Sequence, residues 1–247
     1  MYKKTRLDRF LVENGLAETR SRAADLIRRG CVRIAGRTEL KPGTLVTQDV
    51  ELSLTPEASP YVSRAGLKLA AALDAFAFDP KRRVALDLGA STGGFTDLLI
   101  ARGAAKVYAV DVGSGQLHAK LRVNPKVVAL ENTDARSLDR VLIGEAVGAI
   151  VADVSFISLT LALPPALELA APRAWLAALI KPQFEAGREA VGKGGIVRDE
   201  AARQSAVAKV REFLEEQRGW RVIGIIPSPI LGGSGNQEFL IGAVYGA

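Results

Sequence analysis

The chain has 247 residues, 48% of them apolar, a formal net charge of +6 and a single cysteine, Cys31. That is enough chain and enough apolar surface for one large domain with a full core plus a small one. One cysteine excludes an internal disulfide framework and a multi-cysteine metal site, and fits a reducing, cytoplasmic compartment.

The opening MYKKTRLDRF is basic but leads into no apolar h-region, which predicts no signal peptide. Residues 1 to 50 hold 11 Lys/Arg against 6 Asp/Glu, and the other 197 hold 22 against 21. The first fifth of the chain therefore carries +5 of the +6, the distribution of a nucleic-acid anchor joined to a near-neutral body. Thr19 is placed to cap a short helix, RSRAADLIRR, with Ala23, Ala24, Leu26 and Ile27 inward, Arg20, Arg22, Arg28 and Arg29 outward, and Gly30 as its stop. CVRI, the turn Ala35-Gly36, the turn Lys41-Pro42-Gly43 and VELSL then read as short strands and turns.

The stretch RLDRFLVENGLAETRSRAADLIRRGCVRIAGRTELKPG resembles the S-four-type (alpha-L) RNA-binding domain. The resemblance implies that Arg6, Arg20, Arg22, Arg28 and Lys41 contact structured RNA. TPEASP, residues 55 to 60, reads as a linker and divides the chain into domains 1–58 and 59–247.

From there the chain alternates. VALDLG, VYAVDVG, VVALEN, AIVADVSF and WLAALIK are apolar strand candidates, most of them separated by helical segments, which predicts βα units and a parallel sheet. In DEAARQSAVAKVREFLEEQRG, Val207, Val210, Phe213 and Leu214 share one helix face and Gly219 ends the run. WRVIGIIPSPI and EFLIGAVYG follow without an intervening helix and are expected to pair antiparallel, closing a mostly parallel sheet. LTLALPPALELAAPRAWLAALI is apolar enough to raise a membrane span. Glu168, Arg173 and three prolines exclude one, since a mid-span charge costs roughly 3 kcal/mol.

DLGASTGG lies between a strand and a helix, where backbone N–H groups and a helix N-terminus face a ligand. Asp87, Gly89, Ala90, Ser91, Thr92, Gly93, Gly94 and Phe95 are the candidate cofactor residues of this turn. Asp111, with Val112 beside it, ends the next strand about 20 residues on, the place of an acid that binds ribose hydroxyls. So far NAD and S-adenosylmethionine fit equally. Ser91 breaks the dinucleotide G-x-G-x-x-G, and a second acid, Asp134 followed by Ala135, stands after the third strand where it could accept from an adenine amino group; both favour S-adenosylmethionine. GREAVGKGG imitates a P-loop, but Gly194 occupies the Ser/Thr position, so VGKGGIVRD is expected to be a mobile loop beside the site.

Lys181 ends an apolar strand and precedes Pro182, which disfavours a helical Lys181 and keeps the chain extended. Asp153 ends another strand at the same rim; Lys68 and Glu238 open the domain and the last strand. Lys68, Asp153, Lys181 and Glu238 stand in the order of the FtsJ/RrmJ class of ribose 2′-O-methyltransferases. SRAGLKL, DLGASTGGF, ADVSFISL, KPQFE and SGNQEF behind an alpha-L domain resemble the TlyA family of rRNA cytidine 2′-O-methyltransferases, also called haemolysin A. That resemblance implies an α/β, Rossmann-like methyltransferase fold, a mostly parallel seven-stranded sheet with helices on both faces and a small α+β RNA-binding domain ahead of it. It also implies S-adenosylmethionine as cofactor, ribosomal RNA or ribosomal subunits as partner, and no metal.

A ribose hydroxyl must lose its proton as it attacks, and a lysine takes it only when neutral. Burial and a neighbouring Lys68 favour the neutral form of Lys181, whereas Asp153 and Glu238 favour the charged one. Lys181 is assigned as proton acceptor, Asp153 and Glu238 as its orienting partners, and Lys68 as an aid to alignment. His118 is the only histidine, which leaves little material for Ser-His-Asp or multi-histidine metal chemistry. A dehydrogenase leaves Lys68, Lys181 and Glu238 unexplained. A non-catalytic rRNA-binding or assembly module and a membrane-active haemolysin are the alternatives. The chain stops at Ala247, just past its last strand, and the large ribosomal subunit is the expected target.

Overall fold

The computed structural model describes residues 4–17, 19–28, 30–54, 61–232 and 235–246; the linker read in TPEASP, the boundary within it and Arg29 lie outside the described residues. The chain divides into two compact units, Met1–Arg64 and Ala65–Ala247.

The first unit runs β1 (Thr5–Arg6), α1 (Leu7–Glu13), α2 (Arg20–Arg28), β2 (Val32–Ile34), β3 (Arg37–Thr38), β4 (Leu45–Val46) and β5 (Leu52–Leu54). Thr19 caps α2 as expected, its hydroxyl accepting the Arg22 N–H at 3.1 Å. Leu7, Leu11, Ile27 and Val32 are fully buried and join the two helices to the sheet. The inward face of α2 is Ala23, Leu26 and Ile27; Ala24, expected inside, is half-buried. Strand β2 lies between β3 and β5. The β2–β3 turn is Ala35-Gly36, both at positive φ, as a two-residue hairpin turn requires.

The second unit runs α3 (Ala65–Ala75), β6 (Val84–Leu88), α4 (Gly94–Ala101), β7 (Lys106–Val110), α5 (Ala119–Arg122), β8 (Val127–Leu130), α6 (Arg140–Ile143), β9 (Val147–Ala152), α7 (Leu159–Ala162), α8 (Pro164–Glu168), β10 (Ala170–Ile180), α9 (Pro182–Glu185), α10 (Glu200–Glu216), β11 (Trp220–Pro227) and β12 (Phe239–Tyr245). The seven-stranded sheet has the order β11-β12-β10-β9-β6-β7-β8, parallel from β10 to β8, with β12 antiparallel to both β10 and β11. Ala174 to Ile180 are all buried, as a central strand covered on both faces demands. Strand β10 starts at Ala170, earlier than the apolar run suggests, because a register shift before Trp175 carries the polar start of the strand. On α10, Val207, Val210 and Leu214 are buried and Phe213 is half-buried against the same core. No helix among the described residues is long and apolar enough to cross a membrane.

The strand order reverses between β6 and β9, so the crevice beyond their carboxyl ends is the place where a sheet of this type takes a ligand.

Candidate active site

Gly89 follows β6 and Asp153 follows β9, one on each side of that crevice. Gly89 has φ +79, and a β-carbon there would stand 2.7 Å from the Asp153 carbonyl oxygen, so only glycine lets the two strand ends approach. The turn after it is tied down by Asp111: Oδ2 accepts the Ser91 N–H at 2.7 Å and Oδ1 accepts the Gly113 N–H at 2.7 Å. Gly93, at φ +93, begins α4 and leaves room for Leu117 and Leu121.

Below this turn Asp87 is completely buried. Its Oδ2 accepts the Thr96 hydroxyl at 2.6 Å, while Oδ1 has no hydrogen-bond partner. Burial pushes the Asp87 carboxyl up to about 7; the Thr96 hydrogen bond opposes this and Asp153 adds to it.

A cleft of about 930 Å³ opens above the strand ends, in the range of cofactor sites. Of the residues expected to hold a cofactor, Gly89, Ser91, Asp111, Val112, Asp134 and Ala135 line it. Asp87, Ala90, Thr92, Gly93, Gly94 and Phe95 are not on its wall; Thr92 is half-buried and the others are buried around the start of α4. Asp134 reaches the wall but is engaged locally. It caps the short turn 135–137 and holds the Arg136 guanidinium through both oxygens, which lowers its carboxyl below the ordinary range.

The tetrad Lys68, Asp153, Lys181 and Glu238 separates into two pairs. Lys181 is extended (φ −109°, ψ 103°), with Pro182 opening α9 behind it, and its Nζ stands 2.7 Å from Asp153 Oδ1 and donates to Ser155 Oγ at 2.8 Å. The Asp153 oxygen makes an ion-pair contact but no aligned hydrogen bond. Glu238 was expected beside Lys181; its Oε2 instead accepts from Lys68 Nζ at 2.5 Å, and both side chains are buried. Asp153 lines the cleft; Lys68, Lys181 and Glu238 are not on its wall, although Ser155 and Phe184, which Lys181 touches, are.

Sequence reasoning missed three features here. Phe156 is 91% exposed at φ +66 on the cleft wall, and its ring lies 5.1 Å from that of Phe184, itself 6.0 Å from Lys181 Nζ. Both phenylalanines sit inside quoted motifs, but exposure has no signature in sequence. Asn236, nearly fully buried, accepts the Val197 N–H at 2.9 Å and donates to the Gly195 carbonyl at 2.7 Å, so VGKGGIV, expected to be mobile, is pinned to the start of β12. Glu185 is buried with its carboxyl pushed up by burial; it accepts from the Ser158 hydroxyl at 2.5 Å and the Leu159 N–H at 2.7 Å and so fixes α7 to α9. No group of His, Cys, Asp and Glu suited to a metal gathers among the described residues.

In the first unit Arg6 and Arg20 both converge on the buried Asp8, at 2.9 and 3.2 Å, Arg6 lies over Gly43, and Lys41 is exposed. Arg22 is turned onto Asp25 at 3.4 Å, and Arg28 stands exposed at the far end of α2. The Arg6 hydrogen bond holds the Asp8 carboxyl down at about 2.

Comparison with known proteins gives these geometries a family. Residues 61–245 match the FtsJ-like methyltransferase model and residues 5–52 the S4 domain model. The chain is 46% identical over 242 residues to a Mycobacterium tuberculosis protein named 16S/23S rRNA (cytidine-2′-O)-methyltransferase TlyA, covering 98% of this chain and 90% of that one. It is 39% identical over 241 residues to Hemolysin A of Brachyspira hyodysenteriae, covering 95% and 98%. A solved structure from Streptococcus thermophilus, named as a hemolysin, superposes with a TM-score of 0.78 at 40% identity, covering 99% of this chain and 90% of that one.

Proposed function

The chain belongs to the FtsJ-like methyltransferases, in the TlyA family that carries an S4 domain ahead of the catalytic one, and from that premise we propose that it transfers a methyl group from S-adenosylmethionine to the ribose 2′-oxygen of a cytidine in ribosomal RNA. The large subunit is among the substrates of this reading, as the name of the Mycobacterium tuberculosis relative includes it. The site of action is cytoplasmic, where ribosomal RNA is met.

The observation that carries the reading is the Lys181–Asp153 pair, whose Asp153 lines the cleft beside the Gly89 turn and Asp111. The residues fit the cofactor: a glycine where a β-carbon would fill the approach, and a carboxylate facing the cleft that offers only acceptors to a ribose diol. When bound, S-adenosylmethionine supplies an electrophilic sulfonium methyl. Lys181 in its neutral form takes the 2′-hydroxyl proton, and Asp153 holds the ammonium that results. Ser155, bonded to Nζ, fixes the amine's direction. Lys68 and Glu238 act from behind, keeping the ends of α3 and β12 in place under the pair. Phe156 offers an exposed ring to a base taken out of the RNA stack, and the S4 unit holds the RNA through Arg6, Arg20, Lys41, Arg28 and, less freely, Arg22.

The test is transfer of labelled methyl to intact ribosomal subunits and free rRNA, wild type against Lys181→Ala. Transfer by wild type, its loss in the variant and retained cofactor binding support the reading. Tight RNA binding without transfer to any substrate replaces it with a binding module.

A further inference from the structure

The turn between β7 and α5 is fixed by its backbone. The Gly113 carbonyl accepts the Asn132 N–H at 3.1 Å, Gly115 N–H donates to Glu131 Oε1 at 2.9 Å, and His118 N–H donates to the Thr92 carbonyl at 3.2 Å. Leu117 anchors it in the core. The exposed Gln116 is not needed for any of this, yet its side chain is directed: it lies across Gly113, where a β-carbon would collide with its amide nitrogen and would stand 3.1 Å from Asp111 Oδ1. Gly113 is not in the left-handed region, and a β-carbon there would push the Gln116 amide aside. Oε1 accepts the Ser91 hydroxyl at 3.2 Å, which leaves the amide nitrogen, on the cleft wall beside Asp111, without a hydrogen-bond partner among the described residues.

We propose that Gln116 is a cofactor-binding residue whose carboxamide N–H donates to the ribose diol that Asp111 accepts from. Each diol hydroxyl both donates and accepts, and a carboxylate answers only the first; an amide donor beside it answers the second. The inference rests on the reading that the cleft takes S-adenosylmethionine.

Calorimetric binding of S-adenosylhomocysteine and of its 2′,3′-dideoxy analogue to the full-length protein tests it. Gln116→Leu weakens S-adenosylhomocysteine about 5- to 10-fold, the loss of one such bond, and leaves the dideoxy analogue at its wild-type affinity. Gly113→Ala, which displaces the amide, gives the same selective loss. No loss, or equal loss for both ligands, overturns the proposal, the second outcome making Gln116 a brace for Ser91. A wild type that binds neither compound overturns the cofactor reading of the cleft and this assignment with it.

Discussion

Lys181 and Glu238 each stand one residue beyond Ile180 and Phe239, the last paired residues of β10 and β12, and each is bonded elsewhere, Lys181 to Asp153 and Glu238 to Lys68. The four residues form two separate ion pairs. Substitutions should therefore separate chemistry from support.

Lys68→Ala strands the Glu238 carboxylate in a buried site and is expected to destabilise the fold by about 3 to 5 kcal/mol. Replacing the pair together, Lys68→Met with Glu238→Leu, should recover most of that stability and methyl transfer with it. Lys181→Ala should cost about 10²- to 10⁴-fold in kcat and, because it leaves the partly buried Asp153 carboxylate unpaired, a smaller loss of stability than Lys68→Ala. Denaturant unfolding beside single-turnover methylation distinguishes the two pairs.

Gly89→Ala forces a residue with a β-carbon into φ +79 and against the Asp153 carbonyl. We expect a loss of stability on the order of 1 to 3 kcal/mol and a displaced Asp153, read as falling kcat in whatever protein remains folded. An active variant of unchanged stability would mean that the strand ends need not approach so closely.

Asp87 sets a pH dependence. Its folded carboxyl titrates at about 7 because of burial, above the unfolded 3.8, so the native state holds the proton more tightly. Its contribution to stability then declines as pH rises from about 4 to about 7 and is constant above that. Asp87→Asn removes this decline, so the difference in Tm, variant minus wild type, should become more positive between pH 5 and pH 8.

Asp8 has the opposite sign. Held at about 2 in the fold by Arg6 and then Arg20, against 3.8 unfolded, it contributes stability that is complete above about 4 and lost as pH falls towards 2. Asp8→Asn should cost the first unit on the order of 2 kcal/mol at neutral pH, measured as faster amide exchange in α1 of the full-length protein. Arg6→Ala with Arg20→Ala should lower the slope of log K for RNA against log salt by about 2 and leave cofactor affinity unchanged.

The sequence by itself determined what is local. Apolar runs of strand length, Thr19 before α2, the glycines of DLGASTGG and Pro182 after Lys181 act through neighbours a few residues away, and the strands, cap, turn and extended Lys181 stand where those signals put them. The tertiary structure decided whatever depends on partners distant in the chain. Lys68 meets Glu238 across 170 positions, so no spacing rule could say that Glu238 belongs to Lys68 rather than to Lys181. Asp87 reads as a strand-end residue in the sequence, and only the fold shows it completely buried on the Thr96 hydroxyl of α4. Gln116 and Phe156 carried no signal at all, because directing an amide over Gly113 or leaving a phenyl ring in solvent is a property of how the loops meet above the sheet.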